Sequence, residues 1–334
     1  MHLVCLGTVR KLILLWMKGP NEVRYPSWKI KEISSYIQTI KNKMPCEFAR
    51  KPRNLDEVNR WKATEFRMFL LYYGIIVTKP SLKDQHWNNF FNLSISMIIL
   101  LSPDHLKYIN VARQLLDSFV KDFEIIYGRY LISHNIHGLT HLCDDYDKFG
   151  PLDNCSAFPF ENYMGCLKRM LRKPHKPLEQ VVKRYSEICS LKSNTKTKND
   201  APYFSGLHTH GPTLSSSIKG KQFTTLVLKS MTIKTHLERD SYFLTQEKKV
   251  VKIVNIIKKE NSEDVILICK IFDKKNELFI KPTKSSELDI YVVKNLSNNF
   301  HEFNIKDIKK KMIMLPSNNN DLIVIPIIHS RFNY

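Results

Sequence analysis

A glutamate followed by a run of cations stands out among the residues that could do chemistry. Residues 158–177 read FPFENYMGCLKRMLRKPHKP. On a helix, four of these residues fall on one face: Glu161, Gly165, Lys168 and Arg172. Such a face suits a phosphodiester strand, because the glycine leaves room, the cations neutralise phosphate and the carboxylate can hold a divalent metal. The pattern is equally typical of an ordinary helix, whose dipole favours an acid in its first turn and cations near its end.

The histidine-rich segment HNIHGLTHLCDD is a second candidate. His137 and His141 stand one helical turn apart, and Asp144 follows three residues later. Two imidazoles and a carboxylate at this spacing can share a metal ion. The segment lacks the Glu that follows the first His in metalloproteases. The alternative, which we favour, is that one or both histidines are hydrogen-bonded inside a helical packing.

The net charge of +20, from 52 Lys and Arg against 32 Asp and Glu, favours a polyanionic partner. The cations are dense in residues 168–184, where few aromatics interleave with them. DNA would therefore be held non-specifically, through its phosphates and without a base-stacking platform. The alternative is a solvated charged face. The candidate nucleic-acid-binding residues are Lys168, Arg169, Arg172, Lys173, Lys176, Lys183 and Arg184.

Length and composition exclude several classes of protein. A chain of 334 residues suits two or three domains, and 43% hydrophobic residues exclude an intrinsically disordered protein. Seven scattered cysteines without a C-x-x-C pair exclude a disulfide framework and a zinc ribbon, and they indicate the nucleus or cytoplasm. Arg10 and Lys11 interrupt the apolar N-terminus, so we expect neither secretion nor a membrane partner.

The hydrophobic pattern predicts an α+β fold. Apolar residues at three- and four-residue steps predict helices over 3–17, 27–43, 55–77, 83–101, 102–128, 134–150, 159–172 and 177–191. A segment rich in Ser, Thr, Asn, Gly and Pro follows, and then short β-branched runs predict an antiparallel sheet or small barrel. The predicted domains are a helical region (1–192), a linker (193–221) and a β-rich domain (222–334).

Three long segments resemble the C-terminal half of CACTA-type (En/Spm-like) DNA transposases, as found in animal transposase-domain proteins. They read MHLVCLGTVRKLILLW, EFARKPRNLDEVNRWKATEFRMFLLYYG and HNIHGLTHLCDDYDKFGPLDNCSAFPFENYMGCLKRMLRKPHKPL. The resemblance covers roughly residues 1–190, with the motifs in the family's order. The β-rich part after residue 220 resembles the tail of such animal proteins more loosely.

The resemblance implies a DDE transposase with an RNase H-like core, in which three acids bind two Mg²⁺ or Mn²⁺ ions for attack on a phosphodiester. A mainly helical insertion precedes the final acid in this family. Glu161 in FPFEN is similar to that final catalytic and metal-binding Glu, and His2 is similar to the histidine of the family's D-x-x-H motif. His137 and His141 are similar to a family histidine pair whose role we do not derive.

The expected function follows from what the sequence lacks. It starts at Met1, directly before His2, so the Asp of D-x-x-H and the earlier Asp are absent. We therefore expect a truncated transposase fragment that is not an enzyme by itself and binds no cofactor, with Mg²⁺ or Mn²⁺ needed only by a complete site. Two alternatives stay open. Both Asp residues lie upstream or on another chain, which makes Glu161 functional, or the protein is a domesticated module whose β-rich domain binds a protein partner.

Overall fold

The computed structural model describes residues 2–193, 202–214, 220–260, 262, 264–317 and 321–328. Helices occupy the N-terminal part and an antiparallel sheet follows. The predicted α+β class is therefore confirmed. Within these residues, no helix combines the length and the apolar character needed to cross a lipid bilayer.

The first helices pack their apolar faces into one core. On α2, for example, Ile30, Ile33 and Ile37 are buried, as the predicted spacing requires. The helical segments up to residue 127 are a π-helix (His2–Val9), α1 (Arg10–Lys18), α2 (Ser27–Ile40), α3 (Ala63–Met68), a second π-helix (Phe69–Tyr73), α4 (Gly74–Thr78), α5 (Asp84–Leu101) and α6 (Ile109–Tyr127). Short 3₁₀ turns lie at Lys41–Lys43, Leu55–Arg60 and Pro103–Tyr108.

Two of the predicted helices are interrupted. The helix expected over 55–77 starts as a 3₁₀ turn, breaks at the extended Trp61, and restarts as α3. The Glu65 carboxylate accepts a 2.8 Å hydrogen bond from the Lys62 backbone N–H and holds Arg53 at 2.7 Å, which fixes the new start. The helix expected from Ser102 kinks at His105, whose backbone is non-helical, so that α6 begins at Ile109.

The remaining helices lead to the cation-rich segment. They are α7 (His134–His137), α8 (Leu142–Phe149), α9 (Phe158–Met170) and α10 (Pro177–Ser193), with 3₁₀ turns at Arg129–Leu131 and Gly138–His141. Helix α8 ends at Gly150 as predicted. Gly150 has φ +74°, which favours glycine, and its N–H donates to the Tyr146 carbonyl at 2.8 Å.

The sheet is antiparallel throughout its described pairs. Its strands are β1 (Tyr203–His208), β2 (Gly220–Val227), β3 (Thr232–Lys234), β4 (Tyr242–Thr245), β5 (Val250–Lys259), β6 (Val265–Asn276), β7 (Tyr291–Leu296), β8 (His301–Asn304), β9 (Ile308–Pro316) and β10 (Leu322–Pro326). The order is β1-β2-β5-β4-β9-β10-β7-β6-β8, and an additional β5–β6 pairing closes a ring of strands. This closure corresponds to the small barrel that the short β-branched runs predicted.

Alternation along β9 connects the sheet to the helices. Met312 and Met314 lie in an apolar cluster to which every strand of the ring contributes, which places them inside the barrel. Ile313 and Leu315 point the other way and join the helical core, together with Ile323 of β10. The helical region and the sheet therefore share a core.

The prediction that residues 193–221 form a linker is wrong for residues 203–208. These residues form β1, which pairs with β2 in register from Tyr203↔Val227 to His208↔Gln222. The polar composition of the segment concealed the strand, because β1 lies at an edge and only its alternate residue Phe204 packs against the core. Residues 194–201 and 215–219 of the predicted linker lie outside the described residues.

Candidate functional site

The first turn of α9 positions Glu161. Pro159 occupies the start of the helix, where its missing N–H costs no hydrogen bond, and the Glu161 N–H donates to the Ala157 carbonyl at 3.1 Å. The carboxylate therefore lies at the positive end of the helix dipole. Its side chain is 45% exposed, so it is accessible to solvent and to a ligand.

Glu161 contacts His2, although the two residues come from opposite ends of the helical region. His2 Nδ1 lies 3.2 Å from Glu161 Oε1. The His2 imidazole also stacks on Phe158, with an interplanar angle of 10° and 6.2 Å between ring centroids. The resemblance to transposases selected His2 and Glu161 as parts of two separate motifs, and the structure brings them together.

A cavity of about 290 Å³ opens beside this pair and extends towards the core. Its wall includes His2, Phe158 and the partly buried Asp145. Deeper in the wall, the Arg67 guanidinium donates to both carboxylate oxygens of Asp153 at 2.7 Å. Burial lowers the pKa of Arg67, but the hydrogen bonds and charge of Asp153 outweigh it and raise that pKa above its usual range. The fork ties α3 to the segment that leads into α9.

The residues around Glu161 do not fit a pair of Mg²⁺ or Mn²⁺ ions. Such ions prefer several oxygen ligands, and a two-metal site needs carboxylates that converge from different elements. Glu161 offers one carboxylate, and its partner His2 offers a nitrogen. Among the residues that the structure describes, no group of three candidate metal ligands includes Glu161. The predicted metal role of Glu161 is therefore not supported by a complete donor set.

Three candidate ligand atoms do converge elsewhere, on Cys46, Glu47 and Asp240. The cation held there is the ammonium of Lys311 on β9, 2.8 Å from Glu47 Oε2 and 2.6 Å from Asp240 Oδ1. It also donates to the Thr232 carbonyl at 2.6 Å. This group, the Lys311 cluster, is buried between the helical region and the sheet.

The acid–base properties of the Lys311 cluster follow from its burial and its charges. Burial raises the pKa of Asp240, but the hydrogen bond and charge of Lys311 outweigh it and hold that pKa below its ordinary value. Burial raises the pKa of the Cys46 thiol, so it is held as a thiol at neutral pH. Because an ammonium already occupies the centre, the cluster serves structure and does not need a metal.

The histidine pair has a different geometry from the predicted helical turn. The helix ends at His137 and continues as a 3₁₀ turn to His141, and the two exposed rings meet edge to face at 5.2 Å. Asp144, the candidate third ligand, instead pairs with Arg113 at 2.6 Å. The favoured interpretation, that one or both histidines are hydrogen-bonded inside a helical packing, is wrong because both side chains are exposed. Within the described part of the chain, they belong to no three-ligand group.

The predicted nucleic-acid-binding cations lie on α9, α10 and the turn between them. Two of them are paired locally, Lys176 with Glu179 at 3.2 Å and Arg184 with Glu187 at 2.8 Å. The other five form no salt bridge within the described residues: Lys168, Arg169, Arg172, Lys173 and Lys183. All five are exposed. Their charge is therefore directed to solvent.

The turn between α9 and α10 is ordered by one amide. The Gln180 side chain accepts hydrogen bonds from the Arg172 and Lys173 N–H groups at 2.9 and 3.2 Å. It donates to the carbonyls of Lys173 and His175 at 2.9 and 2.6 Å. This bonding fixes the backbone that carries the central cations and joins the two helices into a hairpin.

Comparison with known proteins gives one match. Residues 207–327 are similar to the family described as Domain of unknown function (DUF8592). No curated protein and no solved structure matches the chain.

The matched residues contain the strand ring but not the helices that carry Glu161 and the cations. Asp240 and Lys311 lie inside the match, whereas their partner Glu47 lies outside it. The match begins at Leu207, within β1, and so it also includes residues that we predicted to be linker. The family description assigns no activity to the sheet.

Sequence reasoning missed the two groups of buried charges. Arg67 and Asp153 were unremarkable in sequence because their partnership depends on contact between distant elements. Lys311 was hidden inside the run KDIKKK, where neighbouring lysines look equivalent. The structure separates them, since Lys311 lies between the two regions while Lys309 and Lys310 both pair with Asp289.

Proposed function

We propose that this protein is transposase-derived, contacts DNA through the cations of α9 and α10, and does not cut or join DNA by itself. The observation that carries the proposal is the set of exposed cations on the α9–α10 hairpin without salt bridges to described residues. Between Phe158 and Leu191 there are seven Lys and Arg against three Glu. A phosphate backbone is the polyanion that such a surface suits.

The mode of contact is electrostatic. The run of cations at 168–184 contains no Phe, Tyr or Trp, so phosphates are bound and bases are not read. Gly165 supports this mode, because a methyl group at its position would meet no atom within 4 Å and the backbone there is open to approach. Affinity then depends on salt and little on DNA sequence.

The lack of catalysis follows from the donor set. Two-metal phosphoryl transfer requires carboxylates on both sides of a pair of ions. Glu161 supplies a single carboxylate beside the His2 imidazole, which is only part of the ligand set on one side of the two ions. The protein therefore binds DNA without breaking its phosphodiester bonds.

The test is a titration of a fluorescein-labelled duplex, followed by anisotropy at several salt concentrations. The variant replaces Lys168, Arg169, Arg172 and Lys173 by Gln. The matched control replaces four other exposed lysines by Gln: Lys18, Lys31, Lys274 and Lys281. We expect the first variant to bind at least tenfold more weakly and to show a slope of log K against log salt that is smaller by about three to four. Equal losses in the variant and the control would reject the hairpin as the DNA-binding surface.

A second candidate function is favoured by the contact between His2 and Glu161. In the transposases that this chain resembles, the D-x-x-H motif and the final glutamate each supply an acid to one catalytic centre, and here His2 and Glu161, which resemble parts of those motifs, lie 3.2 Å apart. Under this hypothesis a separate polypeptide or upstream residues supply both Asp side chains. The test is to read the genomic sequence before the Met1 codon. An open frame that ends in D-x directly before Met1-His2, which completes D-x-x-H, would favour an active enzyme, and a stop codon there would favour the inactive fragment.

A further inference from the structure

The α9–α10 hairpin exposes large apolar side chains as well as cations. On α10, Leu178 is 79% and Val182 is 65% exposed, and the stripe continues along the helix through Tyr185, Ile188 and Leu191. The steps between these residues are four, three, three and three. This spacing is typical of a helix that packs against another helix.

Helix α9 adds a second apolar stripe. Phe160 is 73% exposed, and Met164, one turn further on, is also exposed. In a folded chain, exposed apolar stripes of this kind mark a site for a partner. The two stripes lie on helices joined by the short turn that Gln180 orders. They thus offer a partner helix an exposed apolar surface.

Charge indicates the chemistry of the partner. The apolar residues of the hairpin are interspersed with seven cations and only three acids. A second copy of this chain would bring the same positive surface against its own, at a net charge of +20 for each copy. An amphipathic helix with Glu or Asp beside its apolar stripe would satisfy both the apolar residues and the cations.

We propose that the α9–α10 hairpin is a docking site for an acidic amphipathic helix of another protein. The partner's apolar residues cover Leu178, Val182 and Phe160, and its flanking carboxylates pair with the exposed cations. This site goes beyond the proposed DNA contact, because it uses the apolar stripes that a phosphate backbone does not need. An acidic partner would also compete with DNA for the same cations.

The experiment uses the full chain and a synthetic helical peptide of four heptads, with Leu at positions a and d and Glu at e and g. Glu at e and g prevents the peptide from pairing with itself at neutral pH. The control peptide has Lys in place of every Glu. The protein variant is Leu178→Ser with Val182→Ser, and its control is Leu106→Ser, another exposed leucine on a different helical segment. Fluorescence anisotropy gives the affinity of each pair.

We expect the Glu peptide to bind the wild type at least tenfold more tightly than the Lys peptide does. The double variant should lose at least tenfold in affinity for the Glu peptide, retain its affinity for duplex DNA, and melt at the same temperature as the wild type. Equal affinity for both peptides, or no effect of the double variant, would overturn the proposal. Two further results would also overturn the proposal. One is self-association of the wild type in sedimentation that the double variant abolishes. The other is binding of the wild type to anionic phosphatidylserine vesicles in place of the peptide, if the double variant abolishes that binding.

Discussion

His2 Nδ1 lies 3.2 Å from Glu161 Oε1 and joins the start of the N-terminal π-helix to the first turn of α9. The contact connects two motifs that the sequence places far apart. Helices α1 to α8 lie between them in sequence and share a buried core. The pair is solvent-exposed and lies at the mouth of a cavity whose deeper wall is held by the Arg67–Asp153 fork. The contact between His2 and Glu161 is therefore a surface feature.

The first prediction concerns the energetic weight of this contact. Exposed ion pairs contribute little, so we expect a coupling free energy between His2 and Glu161 of about 1 kcal/mol or less. A double-mutant cycle with His2→Ala and Glu161→Gln, measured by urea unfolding, gives this value. A coupling free energy several times larger would show that the contact contributes substantially to the stability of the fold.

The second prediction concerns Lys311. Replacing it by Met leaves Glu47 and Asp240 buried without their cation, which should cost about 3–5 kcal/mol of unfolding free energy. Lys281→Met at an exposed position should change stability by less than about 0.5 kcal/mol. Urea denaturation measures both.

A triple variant refines this test. Adding Glu47→Gln and Asp240→Asn to Lys311→Met removes the uncompensated charges, so we expect it to recover part of the lost stability. If the three changes were additive, the Lys311 cluster would not act as a charge-balanced unit.

The third prediction compares two glycines. A methyl group at Gly165 meets no atom within 4 Å, so Gly165→Ala should stabilise α9 by about 0.5–1 kcal/mol. A methyl group at Gly74 would meet the Phe69 carbonyl and come within 2.8 Å of the Phe90 ring, so Gly74→Ala should destabilise the protein by about 1 kcal/mol or more. Thermal unfolding by circular dichroism measures both, and a loss of stability in Gly165→Ala would contradict the open surroundings of that residue.

The fourth prediction is a dependence of stability on pH. Burial lowers the pKa of His86 from 6.5 to about 4, and burial together with the charge of Lys310 lowers the pKa of His105 to about 4. Between pH 6.5 and 4 the unfolded chain therefore binds more protons than the folded chain. Stability should fall as pH falls through this window, by at most about 1.4 kcal/mol per pH unit for each histidine.

Urea unfolding at pH 6.5 and pH 5 tests this dependence before most carboxylates titrate. His105→Gln should reduce the difference between the two pH values, because one of the two groups no longer takes up a proton. The exposed His134 provides the control, and His134→Gln should leave the difference unchanged. Equal stability of the wild type at both pH values would contradict the prediction.

Local patterns predicted most of the fold. The apolar spacing of α2, the acid at the start of α9, and Gly150 at the end of α8 are short-range signals, and each lies where it was predicted. The break at Trp61 and the kink at His105 depend on contacts with other elements, such as Arg53 to Glu65. A pattern within one segment does not contain such contacts.

The candidate site was predicted in parts. The resemblance to transposases selected His2 and Glu161, but their contact joins α9 to the start of the first helix, and no pattern within one segment encodes it. The buried charges of Lys311 and Arg67 depend on pairings across the fold and were missed. The shared core of the two regions was also missed. Strands such as β9 contribute side chains both to the barrel interior and to the helical core. In the sequence, the side chains that contact the helical core follow the alternation of any strand.

The most direct test of the account is a nicking assay on supercoiled plasmid with Mg²⁺ or Mn²⁺. The protein and its Glu161→Gln variant are compared at equal concentrations, with DNA binding verified for both. The account predicts that neither converts supercoiled plasmid to the nicked form above the level of buffer with metal. Nicking by the wild type that disappears in Glu161→Gln would contradict it, because the chain would then assemble a working metal site around a carboxylate that we describe as lacking its partners.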